Sequence, residues 1–371
     1  MRDYIMKKFL CRSILALILG SAALAGASES TTRGSSESRL KYVEFGKLGN
    51  PADVLEVKVE KSRSPESGEV RVKVLATPIH PSNLLQISGN YGVAPALPST
   101  PGSEGVGRVV ETSAEVAHLH VGQLVLLIGG GTWREEIVAP ASRFIPLPDL
   151  GSPEPGTIEQ LSMAVVNPLA ALLMLTTFVD LEEGDWLVQS ASNSSVGGYI
   201  IQLAKQRGIK TVNVVRREGL AEDLQLKGAD VVLIDGPDLA KKIASATHNA
   251  PISLAIDAVG GSTFARLAES LDYGATIVSY GVMSGKPATF NPAISIFNDV
   301  RIRGFWLYKW FETAALKERQ AAFGQILPLV SNGTLKANID SRFGIDEIKQ
   351  AVTRAAQRGR NGKVLIVPNA H

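Results

Sequence analysis

The most constraining feature of the sequence is the stretch of residues 185–217. It opens with a short apolar run, Trp186–Gln189, and after a small polar turn apolar residues recur with helical spacing over residues 196–207. Gly208 then stands where a helix C-cap is expected, and a second apolar run follows at residues 211–215. This order of strand, turn, helix and strand predicts one parallel crossover unit of a dinucleotide-binding domain.

The residues around this unit predict which dinucleotide it binds. The turn would place helix N-terminal N–H groups against a pyrophosphate, but Ser195 stands at a usual glycine position and only Gly197 and Gly198 remain. On this turn alone, a crossover that binds no ligand is an alternative. After the second strand, where an acidic residue would select NAD, the chain has Arg216 and Arg217. Paired guanidinium donors suit a 2′-phosphate and predict NADPH, against the alternative of two solvated arginines.

Composition excludes several classes of protein. A chain of 371 residues with 45% hydrophobic and 20% charged residues is long enough for two globular domains. The formal charge of +2, without a basic block, argues against nucleic acid binding. The single cysteine, Cys11, excludes internal disulfides and cysteine-ligated zinc. His118 and His120 are two residues apart, which is poor spacing for a helical metal pair, so we predict no metal site.

The N-terminal residues are predicted to form a leader outside the fold. Lys7 and Lys8 precede an apolar run at residues 14–24, and residues 25–27 resemble a small-residue cleavage site. We therefore predict a signal peptide over residues 1–27 and export, followed by a disordered spacer at 28–39. The apolar run is too short for a stable membrane span. A cytoplasmic location, with a misassigned start codon, and a mitochondrial location are the alternatives.

The first half of the fold is predicted to be a barrel-like β domain at residues 40–159. Apolar and polar residues alternate over residues 55–59 and again over 70–74, which predicts two antiparallel strands joined by a turn. Residues 79–92 break this pattern with glycines and a proline, and they predict a loop and a short helix that carry Tyr91.

The second half is predicted to be a doubly wound parallel sheet at residues 160–312. An apolar helical stretch at residues 158–179 contains Pro168, which should kink or break it. Strands and helices then alternate, which is typical of a parallel sheet. The strands are predicted at residues 186–189, 211–215, 231–234, 254–258, 275–279 and 301–307, and a final helix and strand at 315–329 and 363–367.

Seven motifs, in this order and spacing, resemble the medium-chain dehydrogenase/reductase superfamily and, within it, the zinc-free mitochondrial-type trans-2-enoyl thioester reductases. They are SNLLQISGNYG (82–92), GSEGVG (102–107), GGGTWREE (129–136), NPLAALLML (167–175), QSASNSSVG (189–197), TVNVVRR (211–217) and RGFWLYKW (303–310). The resemblance implies an α/β protein with a GroES-like β-barrel catalytic domain, completed by the C-terminal segment at 313–371, and a Rossmann domain. It also implies a homodimer formed through the edge strand of the Rossmann sheet.

The resemblance also implies site residues. The catalytic tyrosine of the family matches Tyr91. The chain departs from the family pattern at Ser195, where the family has glycine, and Glu218 adds negative charge beside the phosphate site. Ser103 stands where the zinc enzymes have histidine. The implied NADPH contacts are Asn167, Asn193, Ser194, Ser195, Val196, Arg216, Arg217, Tyr280, Gly281, Val282, Met283, Phe305, Trp306, Leu307, Tyr308 and Lys363.

The implied activity is NADPH-dependent, zinc-free reduction of the C2=C3 double bond of trans-2-enoyl thioesters of acyl carrier protein or coenzyme A. Such a reaction needs a hydride at C3, a proton at C2, and a partner for charge on the thioester oxygen. A tyrosine hydroxyl such as that of Tyr91 can serve as proton donor or oxyanion partner. The alternatives are an NADPH quinone or enone reductase and a non-catalytic nucleotide-binding protein.

Overall fold

Two large sheets and a two-stranded ribbon carry the chain in the computed structural model, which describes residues 39–369. The predicted leader and nearly all of the predicted spacer lie outside this range. The strands are β1 (Arg39–Glu44), β2 (Glu56–Lys61), β3 (Glu69–Pro78), β4 (Gly105–Thr112), β5 (Leu124–Leu127), β6 (Glu136–Pro140), β7 (Phe144–Pro146), β8 (Trp186–Gln189), β9 (Lys210–Val215), β10 (Val231–Ile234), β11 (Ile252–Asp257), β12 (Thr276–Ser279), β13 (Arg301–Gly304), β14 (Ile339–Phe343) and β15 (Lys363–Ile366).

The α-helices are α1 (Pro51–Val54), α2 (Pro81–Ser88), α3 (Pro155–Leu161), α4 (Asn167–Thr176), α5 (Ser195–Gln206), α6 (Ala221–Leu226), α7 (Leu239–Ala246), α8 (Gly261–Ala268), α9 (Pro292–Asn298), α10 (Leu307–Thr313), α11 (Leu316–Ser331) and α12 (Ile348–Ala356). Within residues 39–369, none of them is long and apolar enough to cross a bilayer.

One sheet has six parallel strands in the order β10-β9-β8-β11-β12-β13. The chain starts in the middle at β8, builds outward to β10, and then continues from β11 on the other side. This reversal between β8 and β11 is the switch point at which open parallel sheets bind ligands. Gly208 has φ +68°, which confirms its place just after the C-terminus of α5.

The other large sheet is organised around β3, a ten-residue strand. One edge of β3 pairs with β4, and the other edge pairs with β6 along its first half and with β15 at its end. Because β15 lies near the C-terminus, the last strand of the chain returns to the sheet formed by its first half.

The predicted pairing of the strands near residues 55–59 and 70–74 is wrong. β2 pairs with β1 in the separate ribbon, whereas β3 pairs within the large sheet. The alternation in the sequence identified both strands, but the seven residues between them, which include Pro65, do not form a tight hairpin. Both edges of β3 are already satisfied by strands from elsewhere in the chain.

The apolar stretch around Pro168 is divided into two helices. α3 ends at Leu161, and α4 starts at Asn167, so that Pro168 occupies the first turn. A proline is tolerated there because the N–H that it lacks would have no partner within the helix. Nine of the ten residues of α4 are buried, and the largest core cluster packs α4 with α5, β8 and residues of β4 and β5. This shared core connects the two sheets.

Candidate active site

The parallel sheet gathers most of the predicted cofactor residues at one edge. Strands β8, β9, β12 and β13 run parallel, so their carboxyl ends lie at the same edge of the sheet. The predicted contacts at residues 193–196, 216–217, 280–283 and 305–308 follow these four strands in turn. Dinucleotides bind in the crevice outside this edge in folds of this topology.

The turn between β8 and α5 is suited to a phosphate. Ser194 is the N-cap of α5, and its hydroxyl accepts a hydrogen bond from the Gly197 N–H at 3.1 Å. The N–H groups of Ser195 and Val196 have no acceptor among residues 39–369. Free N–H groups at a helix N-terminus bind anions, and Asn193, which precedes the N-cap, is exposed. The predicted pyrophosphate residues therefore fit the group assigned to them.

Gly197 is required by close packing. A Cβ atom at this position would stand 2.5 Å from the Ser192 carbonyl oxygen, nearer than such atoms approach. At Gly198 the nearest atom to a Cβ would be Cδ of Lys227 at 3.8 Å, an ordinary contact. Gly197 thus lets the first turn of α5 pack closely on the turn that follows β8.

Arg216 and Arg217 directly follow β9, and both side chains are exposed. Neither forms an ion pair with another residue of the described range, and Glu218 is exposed beside them without pairing to either. Arg217 is adjacent to the C-terminal loop, since Nη1 would lie 3.8 Å from a Cβ at Gly359. Two uncommitted guanidinium groups suit a 2′-phosphate.

The loop at residues 280–283 is held against the end of β11. The Tyr280 N–H donates to the Asp257 carbonyl and the Met283 N–H to the Ala258 carbonyl, each at 2.9 Å. Burial raises the pKa of the Tyr280 hydroxyl, and its contact with the Ser194 side chain opposes that rise. A Cβ at Gly281 would approach the Ala258 oxygen at 2.9 Å, so this loop also needs its glycine. Val282 and Met283 are exposed beyond it.

Asn167, the first residue of α4, is only 6% exposed. Its side-chain amide forms no hydrogen bond with another described residue, although its oxygen and nitrogen are not sealed from solvent. An amide that is nearly buried and yet uncommitted can pair with the carboxamide of a nicotinamide, because it offers both donors and an acceptor.

Tyr91 and Trp306 meet across 215 positions of sequence. The indole Nε1–H of Trp306 donates to the Tyr91 oxygen at 2.8 Å, and the two rings are in edge contact at 6.3 Å. An indole N–H can only donate, so the Tyr91 oxygen is the acceptor. The phenolic O–H of Tyr91 therefore stays free to donate to a bound molecule.

The other predicted aromatic and apolar contacts flank this pair. Tyr308 stacks on Trp306 with ring centroids 5.1 Å apart, and Phe305 packs edge-on against Phe178 at 6.3 Å. Leu307 begins α10 and packs partly against the largest core cluster. These residues form a wall that follows β13.

Lys363 lies in a different setting from the other predicted contacts. It is 5% exposed at the start of β15, and its Nζ lies 2.9 Å from Nδ1 of His80. Burial lowers the pKa of Lys363 to about 7. His80 in turn contacts Glu104, which is fully buried. The role of Lys363 as a cofactor contact stays a prediction.

No role for His80 or Glu104 was predicted from the sequence. Glu104 lies within the GSEGVG motif, where a lone carboxylate among small and apolar residues at a strand start was an available signal. His80 had no such signal, because its partners are distant in sequence. Within residues 39–369, no cluster of three or more metal-binding side chains is present.

Comparison with known proteins places the chain in a family. Residues 66–149 match the alcohol dehydrogenase GroES-like domain, and residues 195–322 match the domain described as zinc-binding dehydrogenase. The mitochondrial enoyl-[acyl-carrier-protein] reductase of Rattus norvegicus is 34% identical over 347 residues, which cover 91% of this chain and 92% of the relative.

Solved structures are similar over nearly the whole chain. A structure from Bacillus thuringiensis, provisionally described as an NADPH:quinone reductase, has a TM-score of 0.81 and 30% identity, covering 89% of this chain and 99% of its own. The complex of Etr1p, a mitochondrial 2-enoyl thioester reductase from Candida tropicalis, with NADP and crotonyl-CoA has a TM-score of 0.80 and 27% identity, with 89% and 100% coverage.

These matches confirm the predicted fold of a GroES-like domain with a Rossmann domain. The chain belongs to the enoyl-[acyl-carrier-protein] reductase family, in the zinc-free branch of the medium-chain dehydrogenase/reductase superfamily.

Proposed function

We propose that the protein reduces the C2=C3 double bond of trans-2-enoyl thioesters with NADPH. The rat relative is named for the acyl-carrier-protein thioester, and Etr1p was solved with NADP and crotonyl-CoA. The observation that carries the proposal in this chain is the Trp306–Tyr91 hydrogen bond, which leaves a tyrosine O–H free to donate beside the cofactor edge of the sheet.

Different residues of the chain would bind different parts of NADPH. The free N–H groups of Ser195 and Val196 would hold the pyrophosphate, and Arg216 with Arg217 the 2′-phosphate. The amide of Asn167 would hold the carboxamide. When bound, NADPH supplies the hydride that C3 receives.

Tyr91 would act at the other end of the reacting bond. As C3 gains a hydride, negative charge develops on the thioester oxygen, and C2 must then gain a proton. The Tyr91 hydroxyl can stabilise that oxygen or deliver the proton, since Trp306 occupies its oxygen only as an acceptor. The hydrogen bond from Trp306 fixes the direction of the Tyr91 hydroxyl. A hydroxyl held in one orientation towards the substrate favours the transition state.

A substrate and cofactor panel tests this function. We expect oxidation of NADPH with trans-2-hexenoyl thioesters of coenzyme A and acyl carrier protein, and weaker activity with NADH. Product analysis should show the saturated thioester. If neither thioester is turned over while no enone or quinone is reduced either, the protein is a non-catalytic nucleotide-binding member of the superfamily.

A quinone or enone reductase is the second candidate. The Bacillus thuringiensis structure, at 30% identity, is the observation in its favour. Such an enzyme would need less from a proton donor. In the same panel, faster turnover of 1,4-benzoquinone than of either enoyl thioester would favour this candidate over the first.

We also propose a homodimer formed through β13. This strand is the edge of the parallel sheet and all four of its residues are exposed. Helix α9 has no buried residue, and Phe297 on it is 75% exposed. An unpaired edge beside exposed apolar side chains suits strand pairing with a second copy.

Light scattering tests the dimer. Phe297→Glu together with Ile302→Glu should convert the dimer into a monomer, because negative charges would be buried without partners in the interface. The matched control is Leu226→Lys, which changes an exposed leucine on α6 and should leave the dimer intact. An unchanged mass for the double variant would contradict the proposed interface.

We propose domain boundaries at residues 159/160 and 312/313, with the segment 313–371 completing the catalytic domain. The pairing of β15 with β3 supports the return of the C-terminal segment.

We propose a mitochondrial location in preference to export, because the curated relatives are mitochondrial enzymes. Fractionation of cells that express the full chain tests this location.

A further inference from the structure

The carboxylate of Glu104 is buried where the two sheets meet. Glu104 directly precedes β4 and is fully inaccessible to solvent. Its backbone carbonyl accepts hydrogen bonds from the hydroxyls of Thr77 and Thr132, at 2.7 and 2.9 Å. The residue is therefore fixed to the β3–β4 region through its main chain, and its side chain projects from a rigid base.

One carboxylate oxygen holds the backbone that carries Asn167. Oε2 accepts hydrogen bonds from the N–H groups of Val165 and Val166, at 2.7 and 2.9 Å. These are the two residues immediately before Asn167, and Val166 is the N-cap of α4. The N–H groups at a helix start lack partners within the helix, and a negative charge is stabilised there. The carboxylate from the β3–β4 region thus acts as the cap for α4.

The other oxygen connects to a buried histidine and lysine. Oε1 lies 2.7 Å from Nε2 of His80, and Nδ1 of His80 lies 2.9 Å from Nζ of Lys363. A carboxylate oxygen can only accept, so Nε2 of His80 carries the proton and donates it to Glu104, and Nδ1 accepts a hydrogen bond from Lys363. Burial, and then the positive charge of Lys363, lower the pKa of His80, which agrees with a neutral ring.

We infer that Glu104, backed by His80 and Lys363, is a positioning residue that fixes Asn167 where it holds the nicotinamide end of NADPH. The inference rests on the proposed function for the identity of the cofactor. Glu104 touches neither cofactor nor substrate in this role: it acts through the main chain at Val165 and Val166.

The chemistry requires a carboxylate. Three donors converge on the two oxygens of Glu104, namely two backbone N–H groups and the imidazole N–H. Replacement by glutamine puts an amide NH₂ in place of one oxygen, so a donor faces a donor on one side. The start of α4 or the His80 ring must then move, and a misplacement of about 1 Å in a binding group costs roughly a hundredfold in rate.

The test compares Glu104→Gln with the parent enzyme. We expect NADPH to bind about tenfold more weakly, whereas adenosine 2′,5′-bisphosphate, which lacks the nicotinamide, binds unchanged. Hydride transfer from NADPH deuterated on one face of C4 should lose part of its selectivity for that face. The matched control is Asp230→Asn, a carboxylate that accepts the Thr211 N–H at the start of β9 and so lies at the opposite edge of the sheet.

A double-mutant cycle identifies the route of the effect. If Glu104 acts through Asn167, adding Glu104→Gln to Asn167→Ala should weaken NADPH binding by less than twofold further. Fully additive losses, or equal losses for both nucleotides, would overturn the inference and assign Glu104 a general structural role. Because both nucleotides are measured by binding, these outcomes do not depend on which substrate the enzyme reduces.

His80 provides a second route if Glu104→Gln does not fold. His80→Ala should reproduce the selective loss of NADPH binding. His80→Gln should bind NADPH as the parent does, because the glutamine NH₂ can donate to Glu104 from near the position of Nε2. Equal behaviour of the two variants would contradict the proposed support of Glu104 by His80.

Discussion

At the scale of single residues, the buried ammonium of Lys363 links stability to pH. Its folded pKa is about 7 because of burial, against 10.5 in the unfolded chain. Between these values the unfolded state binds a proton that the folded state does not, so the free energy of unfolding rises with pH. Below about pH 7 both states are protonated, and the cost of burying the charge is present in full.

Lys363→Met should remove this dependence. Between pH 8 and pH 10, urea unfolding should show the parent gaining roughly 2–3 kcal/mol relative to the variant, from about 1.4 kcal/mol per pH unit. A constant offset from the lost contact with His80 does not alter this difference. Parallel pH profiles for the two proteins would mean that Lys363 is not neutralised by folding in this range.

Arg216 belongs to the same scale, because we propose that its charge selects the cofactor. Arg216→Ala should raise KM for NADPH by about tenfold or more and leave KM for NADH nearly unchanged, since a charge-assisted contact is worth roughly 1.5–3 kcal/mol. The lower end is expected for an exposed side chain. Arg108→Ala, an exposed arginine in β4, serves as control, and equal effects of Arg216→Ala on both cofactors would exclude a role in reading the 2′-phosphate.

At the scale of elements, the close packing of the first turn of α5 on the turn that follows β8 can be tested with adjacent glycines. Gly197→Ala should lower the melting temperature and weaken NADPH binding, because its Cβ would overlap the Ser192 carbonyl. Helix propensity alone would favour alanine by about 1 kcal/mol, so this result requires that the steric overlap cost more than that. Gly198→Ala has room and should be neutral or stabilising. Equal stability of the two variants would contradict this account of the turn.

Local signals predicted the elements around this turn well. The strands at Trp186–Gln189 and Val231–Ile234 have the predicted bounds, and α5 begins at Ser195, one residue before the predicted start. Apolar runs and helical spacing are properties of neighbouring residues, so they can be read from the sequence. The division at Pro168 was predictable for the same reason, because a proline is itself a local signal.

Long-range contacts were not predictable in the same way. The predicted pairing of β2 with β3 was wrong, because alternation identifies a strand and not its partner, which for β2 is β1. The contact between Glu104 and the N–H groups of Val165 and Val166 joins residues about sixty positions apart, and that between His80 and Lys363 spans 283 positions. No local pattern encodes such contacts, and the family resemblance alone placed Tyr91 in a site.

At the scale of the whole molecule, the site exists only where the two sheets meet. Tyr91 follows α2, next to the β3 sheet, and Trp306 follows the edge strand of the parallel sheet. Asn167 starts the helix whose core connects them, and its position is set from the β3–β4 region by Glu104. In the proposed function, binding of NADPH and activation of the thioester oxygen therefore depend on the relative placement of both sheets.

The most direct test of the role of Tyr91 is the turnover number of Tyr91→Phe with trans-2-hexenoyl-CoA. The ring and its edge contact with Trp306 are retained, and only the hydroxyl is lost, together with the hydrogen bond that it accepts from Trp306. We expect kcat to fall by roughly 10²–10⁴, the usual range for a general acid, with the Kd for NADPH unchanged. Tyr273→Phe, which removes a hydroxyl from an exposed tyrosine before β12, should leave kcat unaltered. If Tyr91→Phe retains kcat within about threefold while hydride transfer limits the rate, Tyr91 is not the donor to the thioester.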